Sequence, residues 1–437
     1  MAGITLDPVV TGTYTVGPDG RGTITLNLPV LATTETFALT ITSGSHALLN
    51  QDDGTATGSG VLDLQTAGPT FAASQFSGGY SFTLTGEDVT LATATVFGGV
   101  FTADGASNLP AGTVDENDSG TLTPGTPFTG TFTAPDANGR GTITFSTGPA
   151  FTYVYYLVRP QVVRLIETDA LFVSGGTAYG QGAASSFTNS SLTGPFIFNN
   201  VGSSVSGSFA AAGQFATDGN GNFSGGIADV NNNGLVSSGS LAASTYAFSN
   251  SPRGTITIPA GAVFTSGMAL FAYLVDPKLN LLDPNNASGG GGALILTNDA
   301  NIFGVGMIVP QVTPAPSALA GNYAVNFTSA PNAGTEADLT SQVVADLSGN
   351  LSGTADYAND AGSSISFSTT NDIYTGTFTP DGNNPGRLTG TVLLTGGTLQ
   401  FVPGGATQNL SYYQADGSRI FVVETDASVA TGFLMHQ

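Results

Sequence analysis

Apolar residues along this 437-residue chain recur at every second position in short runs, and clusters of Gly, Asp, Asn and Pro separate the runs. Alternation with a period of two marks a strand with one face buried, and the punctuating residues are those that tight turns require. One stretch predicts eight strands in succession: Gly79–Leu84, Thr95–Ala103, Pro110–Asp115, Phe128–Thr133, Gly141–Ser146, Phe151–Val158, Gln161–Glu167 and Gly175–Gly180. Connections such as Pro18-Asp-Gly20, Arg159-Pro160 and Asp276-Pro277 are too short for the crossover that a parallel pair needs, so successive strands should be antiparallel neighbours. The expected fold is therefore all-β, in meander domains of about eight strands, with an up-and-down barrel favoured and a sandwich the alternative.

The pattern repeats. Gly12-Thr-Tyr-Thr-Val-Gly-Pro-Asp-Gly-Arg21-Gly-Thr-Ile-Thr-Leu26 returns as Gly130-Thr-Phe-Thr-Ala-Pro-Asp-Ala-Asn-Gly-Arg140-Gly-Thr-Ile-Thr-Phe145, as Ser251-Pro-Arg253-Gly-Thr-Ile-Thr-Ile258, and in weaker form from Gly376 through Arg387 to Thr391. The openings Phe76-Ser-Gly-Gly-Tyr80, Leu192-Thr-Gly-Pro-Phe196 and Leu319-Ala-Gly-Asn-Tyr323 align as well. These marks divide the chain into an incomplete N-terminal repeat at 1–68, holding strands four to eight only, and repeats at 69–189, 190–315 and 316–437. Met1 to Pro8 carry neither the basic nor the apolar region of a signal peptide. A five-strand remnant leaves sheet edges that template pairing with another chain. Two readings follow: sequence upstream of Met1 supplies the missing strands, or another subunit supplies them by β-augmentation.

The sixth strand of each repeat departs from simple alternation. In Phe151-Thr-Tyr-Val-Tyr-Tyr-Leu-Val158 and Met268-Ala-Leu-Phe-Ala-Tyr-Leu-Val275 both faces are largely apolar. One face belongs in a barrel, so the other needs cover, and a neighbouring repeat of the same chain is the expected source.

Composition narrows the function. The chain holds 61 Gly and 22 Pro, no Cys and no Trp, and 30 acidic against 8 basic residues, for a net charge of −22. Such an excess repels phosphate backbones and argues against nucleic-acid partners. No apolar run approaches the roughly 18 residues of a membrane-spanning helix. With two His, one Lys and no Cys, little is available for nucleophilic or acid–base catalysis or for zinc.

Because a meander alternates its turns between two ends, the charges can be placed. Arg21, Arg140, Arg253 and Arg387 follow the turn between strands four and five; His46, Lys278 and Arg419 are assigned to the opening of strand seven; Arg159 and Arg164 flank the same end. Asp19, Asp104, Asp136, Asp218, Asp346 and Asp381 share that end and read as hairpin turns. The opposite end is wholly acidic. It gathers Asp115, Asn117, Asp229, Asn231, Asn233, Asp356 and Asp360 from the turn after strand three, and Glu167, Asp169, Asp283, Glu424 and Asp426 from the end of strand seven. Hard oxygen ligands from two turns suit Ca²⁺, and these twelve form the candidate metal set. Asp229-x-Asn231-x-Asn233-Gly234 copies half of an EF-hand loop, but Ser240 stands where its bidentate Glu belongs. Solvated Asx turns are the competing reading.

Glu167 with Asp169, and Glu424 with Asp426, have the spacing of a carboxylate pair on one strand face. Recurrence in degraded copies at a strand end, without flanking aromatics, argues against glycosidase chemistry. His46 reads as a surface residue, His436 as terminal, and the Gly-rich segment 287–292 lacks the Lys and Ser/Thr of a phosphate loop.

The repeat with its Gly-Thr-Tyr-Thr…Asp-Gly-Arg-Gly-Thr-Ile-Thr unit, preceded by Phe215-Ala-Thr-Asp-Gly-Asn-Gly-Asn222, resembles repeats of large exported bacterial surface proteins. That resemblance implies an extracellular location and an architecture, and no biochemical activity. The expected protein is a non-enzymatic, self-associating subunit of a surface fibre or matrix, with no cofactor apart from the Ca²⁺ set above. The alternative is an adhesive or glycan-binding module that acts through loops at one end of each repeat.

Overall fold

The computed structural model describes residues 10–66, 70–146, 151–183, 187–329, 336–360, 365–367, 372–395 and 407–437. Residues 1–9, on which the reading of the N-terminus falls, and Gly362 lie outside them. The architecture is all-β: a five-stranded antiparallel half-barrel sheet is followed by antiparallel barrels in tandem.

The second unit shows the plan. Its strands run Ser77–Asp88, Thr93–Asp104, Asn108–Asp118, Thr121–Phe132, Arg140–Phe145, Thr152–Arg159, Val162–Glu167 and Phe172–Gly180, and they close into a barrel. All eight lie where the alternation places them, with the first four longer than expected. Alternate residues fill the interior: Tyr80, Phe82, Phe97, Phe101, Tyr153, Tyr155 and Leu157 belong to one buried cluster. The third unit follows the same order from Thr193 to Pro310. Its fourth strand is interrupted between Ser240 and Thr245, and the two pieces form opposite ends of one nine-stranded sheet. The Asn222–Thr245 bridge joins the second piece to the start of the third strand, Phe223–Asn232, and closes the barrel. The fourth unit runs from Gly321 to His436, and pairing of Glu336–Ala345 with Asn350–Asp360 closes it. Phe76, Leu192 and Leu319, at the aligned openings, are each fully buried. They anchor the first strand at one end of its barrel.

The first unit contains Thr11–Val16, Arg21–Leu28, Thr33–Ser43, His46–Gln51 and Ser59–Asp63, paired in that order. By register these match strands four to eight of the others: Arg21 faces Thr40 as Arg140 faces Tyr156. Thr11–Val16 and Ser59–Asp63 each pair on one side only among the described residues.

The units do not form an extended string. Second meets third, third meets fourth, and the fourth returns to the first. Gln437 donates its side-chain amide to the Ile41 carbonyl at 2.8 Å. Gln65 makes the same contact to Leu157 at 3.1 Å, and Gln311 to Gln414 at 2.8 Å. All four contribute to one shared apolar core, represented by Leu48, Val158, Phe271 and Tyr413. The two-faced sixth strand is thereby explained: Leu270, Ala272 and Leu274 fill their own barrel, while Phe271, Tyr273 and Val275 enter the shared core.

One assignment changes. Strand seven of the third unit is Ala293–Thr297, so Lys278, Asp283 and Asn285 sit in an insertion spanning 275–292 rather than at its ends. Thr297 and Asp299 occupy the positions given to Asp283 and Asn285. The insertion carries its own Asp-Pro turns, which imitate the end of a strand in sequence.

Leu319→Ala should lower stability by about 2–5 kcal/mol, the cost of truncating a fully buried leucine. A fall in the unfolding midpoint in urea measures it, and an unchanged midpoint would contradict the anchoring role.

Candidate assembly surface

The acidic and basic ends meet across unit boundaries. Arg253 opens strand five of the third unit. It reaches Asp115 on strand three of the second unit through both Nε (2.7 Å) and Nη2 (2.6 Å). The Tyr273 hydroxyl donates to the same carboxylate at 2.8 Å. One unit later Arg387 holds Asp229 through Nε and Nη2, each at 2.9 Å, and Tyr413 donates at 2.5 Å. Arg21 then reaches Asp356 of the fourth unit at 3.0 Å, with Thr40 in the tyrosine's place. Bidentate guanidinium–carboxylate geometry is among the stronger polar contacts, and its carboxylates here are buried. Arg253 also lies over the Phe271 ring, 4.4 Å from its centre.

Two residues beyond Asp115 and Asp229 comes a second junction device, whereas Ala358 stands at that place after Asp356. Asn117 donates its side-chain amide to the carbonyls of Thr297, Asp299 and Ile302, the turn after strand seven of the next unit. Asn231 does the same to Glu424, Asp426 and Ser428. Gly120 and Gly234 follow with φ of 95° and 82°, and a Cβ on either would come within 2.2 and 2.8 Å of the neighbouring unit's backbone. Only glycine fits both the left-handed backbone and the close approach.

The candidate metal residues therefore do other work. Asp115, Asp229 and Asp356 bind arginine, and Asn117 and Asn231 cap turns. Asn233 donates to the Ser206 carbonyl. Asp169 and Asp426 accept backbone N–H groups. Glu167 accepts from Ser174, Glu424 from Gln408, and Asp283 from Ser43 of the first unit. Asp360 pairs in register with Glu336. Among the described residues, no three His, Cys, Asp or Glu side chains are grouped to hold a metal. The hairpin aspartates behave as turn residues: Asp104, Asp218 and Asp346 each accept two or more backbone N–H groups of the following residues. His46 is not a surface residue. It is buried, with Nδ1 2.8 Å from Asp63, which Arg164 of the second unit also contacts.

The first unit breaks the series. Its concave face, the counterpart of a barrel interior, opens into an apolar cavity of about 400 Å³ lined by residues including Tyr14, Val16, Ile24, Leu39 and Leu62. Tyr14 is 77% exposed. Neither this cavity nor the tyrosine partners of the arginines were identified from sequence. The Asp-x-Asn pair, expected in the turn after strand three, lies on strand three itself because that strand runs on to Asp118 and Asn232. Its recurrence with an Arg opposite Tyr, present in two copies, was the available signal.

Burial also perturbs acids at the junctions. Desolvation raises Glu424 to about 9 and Glu167 to about 8, and it raises Asp52 to about 7, with nearby carboxylates adding to each. Such acids prefer the proton in the folded state, so stability falls as pH rises from about 4.5 toward these values. Hydrogen-bonded turn aspartates such as Asp218, depressed chiefly by the Asn222 side-chain amide, act oppositely and lose their contribution only below the ordinary aspartate value of 3.8.

Two results should follow. The melting temperature should rise as pH is lowered from 9 to 5, and Glu424→Gln should flatten the upper part of that profile. Asp229→Ala, which strands a buried Arg387, should cost about 3–5 kcal/mol, whereas Arg140→Ala should change stability by no more than about 0.5 kcal/mol in chemical denaturation. No protein-family model matches the chain, and no curated protein matches its sequence.

Proposed function

We propose that the chain is a non-enzymatic structural subunit of an extracellular surface fibre or matrix, joined to its assembly by strand sharing at the open first unit. The observation that carries this reading is the half-barrel, whose two edges are free among the described residues and whose apolar concave face contrasts with three closed counterparts. An unpaired edge over an apolar groove is the geometry that β-augmentation uses, with main-chain bonds supplying affinity and alternate side chains supplying fit. The non-enzymatic part draws support from the side chains with chemical potential. Asp115 and Asp229 are buried in contacts that hold units together, and Glu167, Glu424 and His46 are buried against Ser174, Gln408 and Asp63 of their own units. The extracellular part draws on the Asp- and Asn-rich turns and the resemblance to exported repeats.

Immunogold electron microscopy of intact source cells, with antibody against the folded chain, tests the reading. Gold along extended material outside the envelope is expected. Label confined to the cell interior would refute it, and isolated surface particles without extended material would favour the adhesive alternative.

A further inference from the structure

The missing part of the first unit leaves a second surface bare, on the second unit. At the other junctions, strands one and two of one unit lie against strands six, seven and eight of the next, and strand three joins them at the third–fourth and fourth–first junctions. They bury Tyr273, Leu296 and Phe303 of the third unit, and Tyr413, Val423 and Val429 of the fourth, all at 8% exposure or less. The register makes Tyr156, Ile166 and Val173 their counterparts in the second unit. These three are 40%, 52% and 49% exposed. Above them Arg140 faces Tyr156 across the sheet, as Arg253 faces Tyr273 and Arg387 faces Tyr413. Among the described residues no carboxylate meets the Arg140 guanidinium, and no asparagine amide covers the Glu167–Phe172 turn.

Two empty surfaces thus adjoin, one inside the first unit and one outside the second, and a single object fits both. We propose that a separate polypeptide docks here as a three-stranded antiparallel meander, equivalent to strands one to three of this repeat, with Asp-x-Asn on its third strand. Its inward side chains would fill the first unit's cavity and its outer strands would pair with both free edges. Its Asp would complete the triad with Arg140 and Tyr156, and its Asn would cap the carbonyls after strand seven. The proposal rests on the strand-sharing reading and specifies the donor.

The donor is not a described part of this chain. No described segment outside the sheets carries three strands of the 9 to 12 residues that strands one to three have in the closed units. The first-to-third strands of the second, third and fourth units are already closed into their own barrels. Charge agrees: of the strand-five arginines Arg21, Arg140, Arg253 and Arg387, only Arg140 meets no carboxylate among the described residues.

The test uses the full chain and residues 187–234 of its own sequence, the first three strands of the third unit with Asp229 and Asn231, carried on a soluble fusion partner. Calorimetric titration should show saturable one-to-one binding. Arg140→Ala in the full chain, or Asp229→Ala with Asn231→Ala in the fragment, should each weaken binding at least tenfold. The two changes combined should weaken it little further, because they remove the same contact. A second variant places residues 187–234 directly before Thr11. It should melt higher than the parent chain, and Arg140→Ala should then lower its melting temperature although it leaves the parent unchanged. Absence of binding in trans overturns the separate donor. If the covalent variant still acquires the Arg140 penalty, the donor belongs to the same chain; if it does not, the paired surfaces do not take this meander at all. Location of the chain outside or inside cells is read independently, so failure here leaves the extracellular reading standing, and label confined to the cell interior leaves the donor's binding unaffected.

Discussion

A buried arginine shared between two barrels organises this molecule. Arg387 belongs to the fourth unit, yet the carboxylate it needs, Asp229, belongs to the third, and the hydroxyl that completes the contact, Tyr413, belongs to its own. Neither charge is tolerable alone at 12% and 1% side-chain exposure, because removing an ion from water without a partner costs several kcal/mol. The units are therefore bound to a single relative placement, since a shift of one residue along either strand would separate the guanidinium from its acceptor. Apolar burial between units supplies the larger part of the attraction. The ion pair supplies the register.

That register gives meaning to the net charge of −22. The few bases are concentrated where they are needed, at the edges of units that face another unit. Arg159 and Arg419 extend the pattern by donating to backbone carbonyls of the third unit's 275–292 insertion. The acids in excess are divided between this pairing and turn chemistry. Turn aspartates such as Asp104 hold three successive backbone N–H groups while fully exposed. A chain so poor in lysine keeps its hairpins tight through carboxylate-to-backbone bonds, which need no cation.

Much of the fold was legible because it is local. The eight strands of the second unit follow from alternation and turn residues, and the incomplete first unit follows from Gly12-Thr-Tyr-Thr15 matching a fourth strand. Apolar residues on both faces of Met268–Leu274 required an outer partner, and the shared core supplies it. Other features were legible only in part. Lys278 and Asp283 were misplaced because the 275–292 insertion ends hairpin-like segments with the same Asp-Pro chemistry that true strands use. Asp115, Asn117, Asp229 and Asn231 were recognised as a recurring set of oxygen-bearing side chains. Residue type alone could not distinguish oxygen ligands for a cation from acceptors and donors for a neighbouring barrel.

The sequence by itself determined the meander, the repeat and the two-ended distribution of charge, because strand alternation, turn conformation and hairpin order depend on residues close together in the chain. Only the tertiary structure decided that the acidic end of one unit receives the basic end of the next, that the fourth unit returns to the first, and that Tyr156, Ile166 and Val173 stand bare where their counterparts are covered. Those relations join residues more than a hundred positions apart. Their energy comes from burial and from the pairing of desolvated charges, both of which arise when distant surfaces meet and leave no periodic trace in either surface alone.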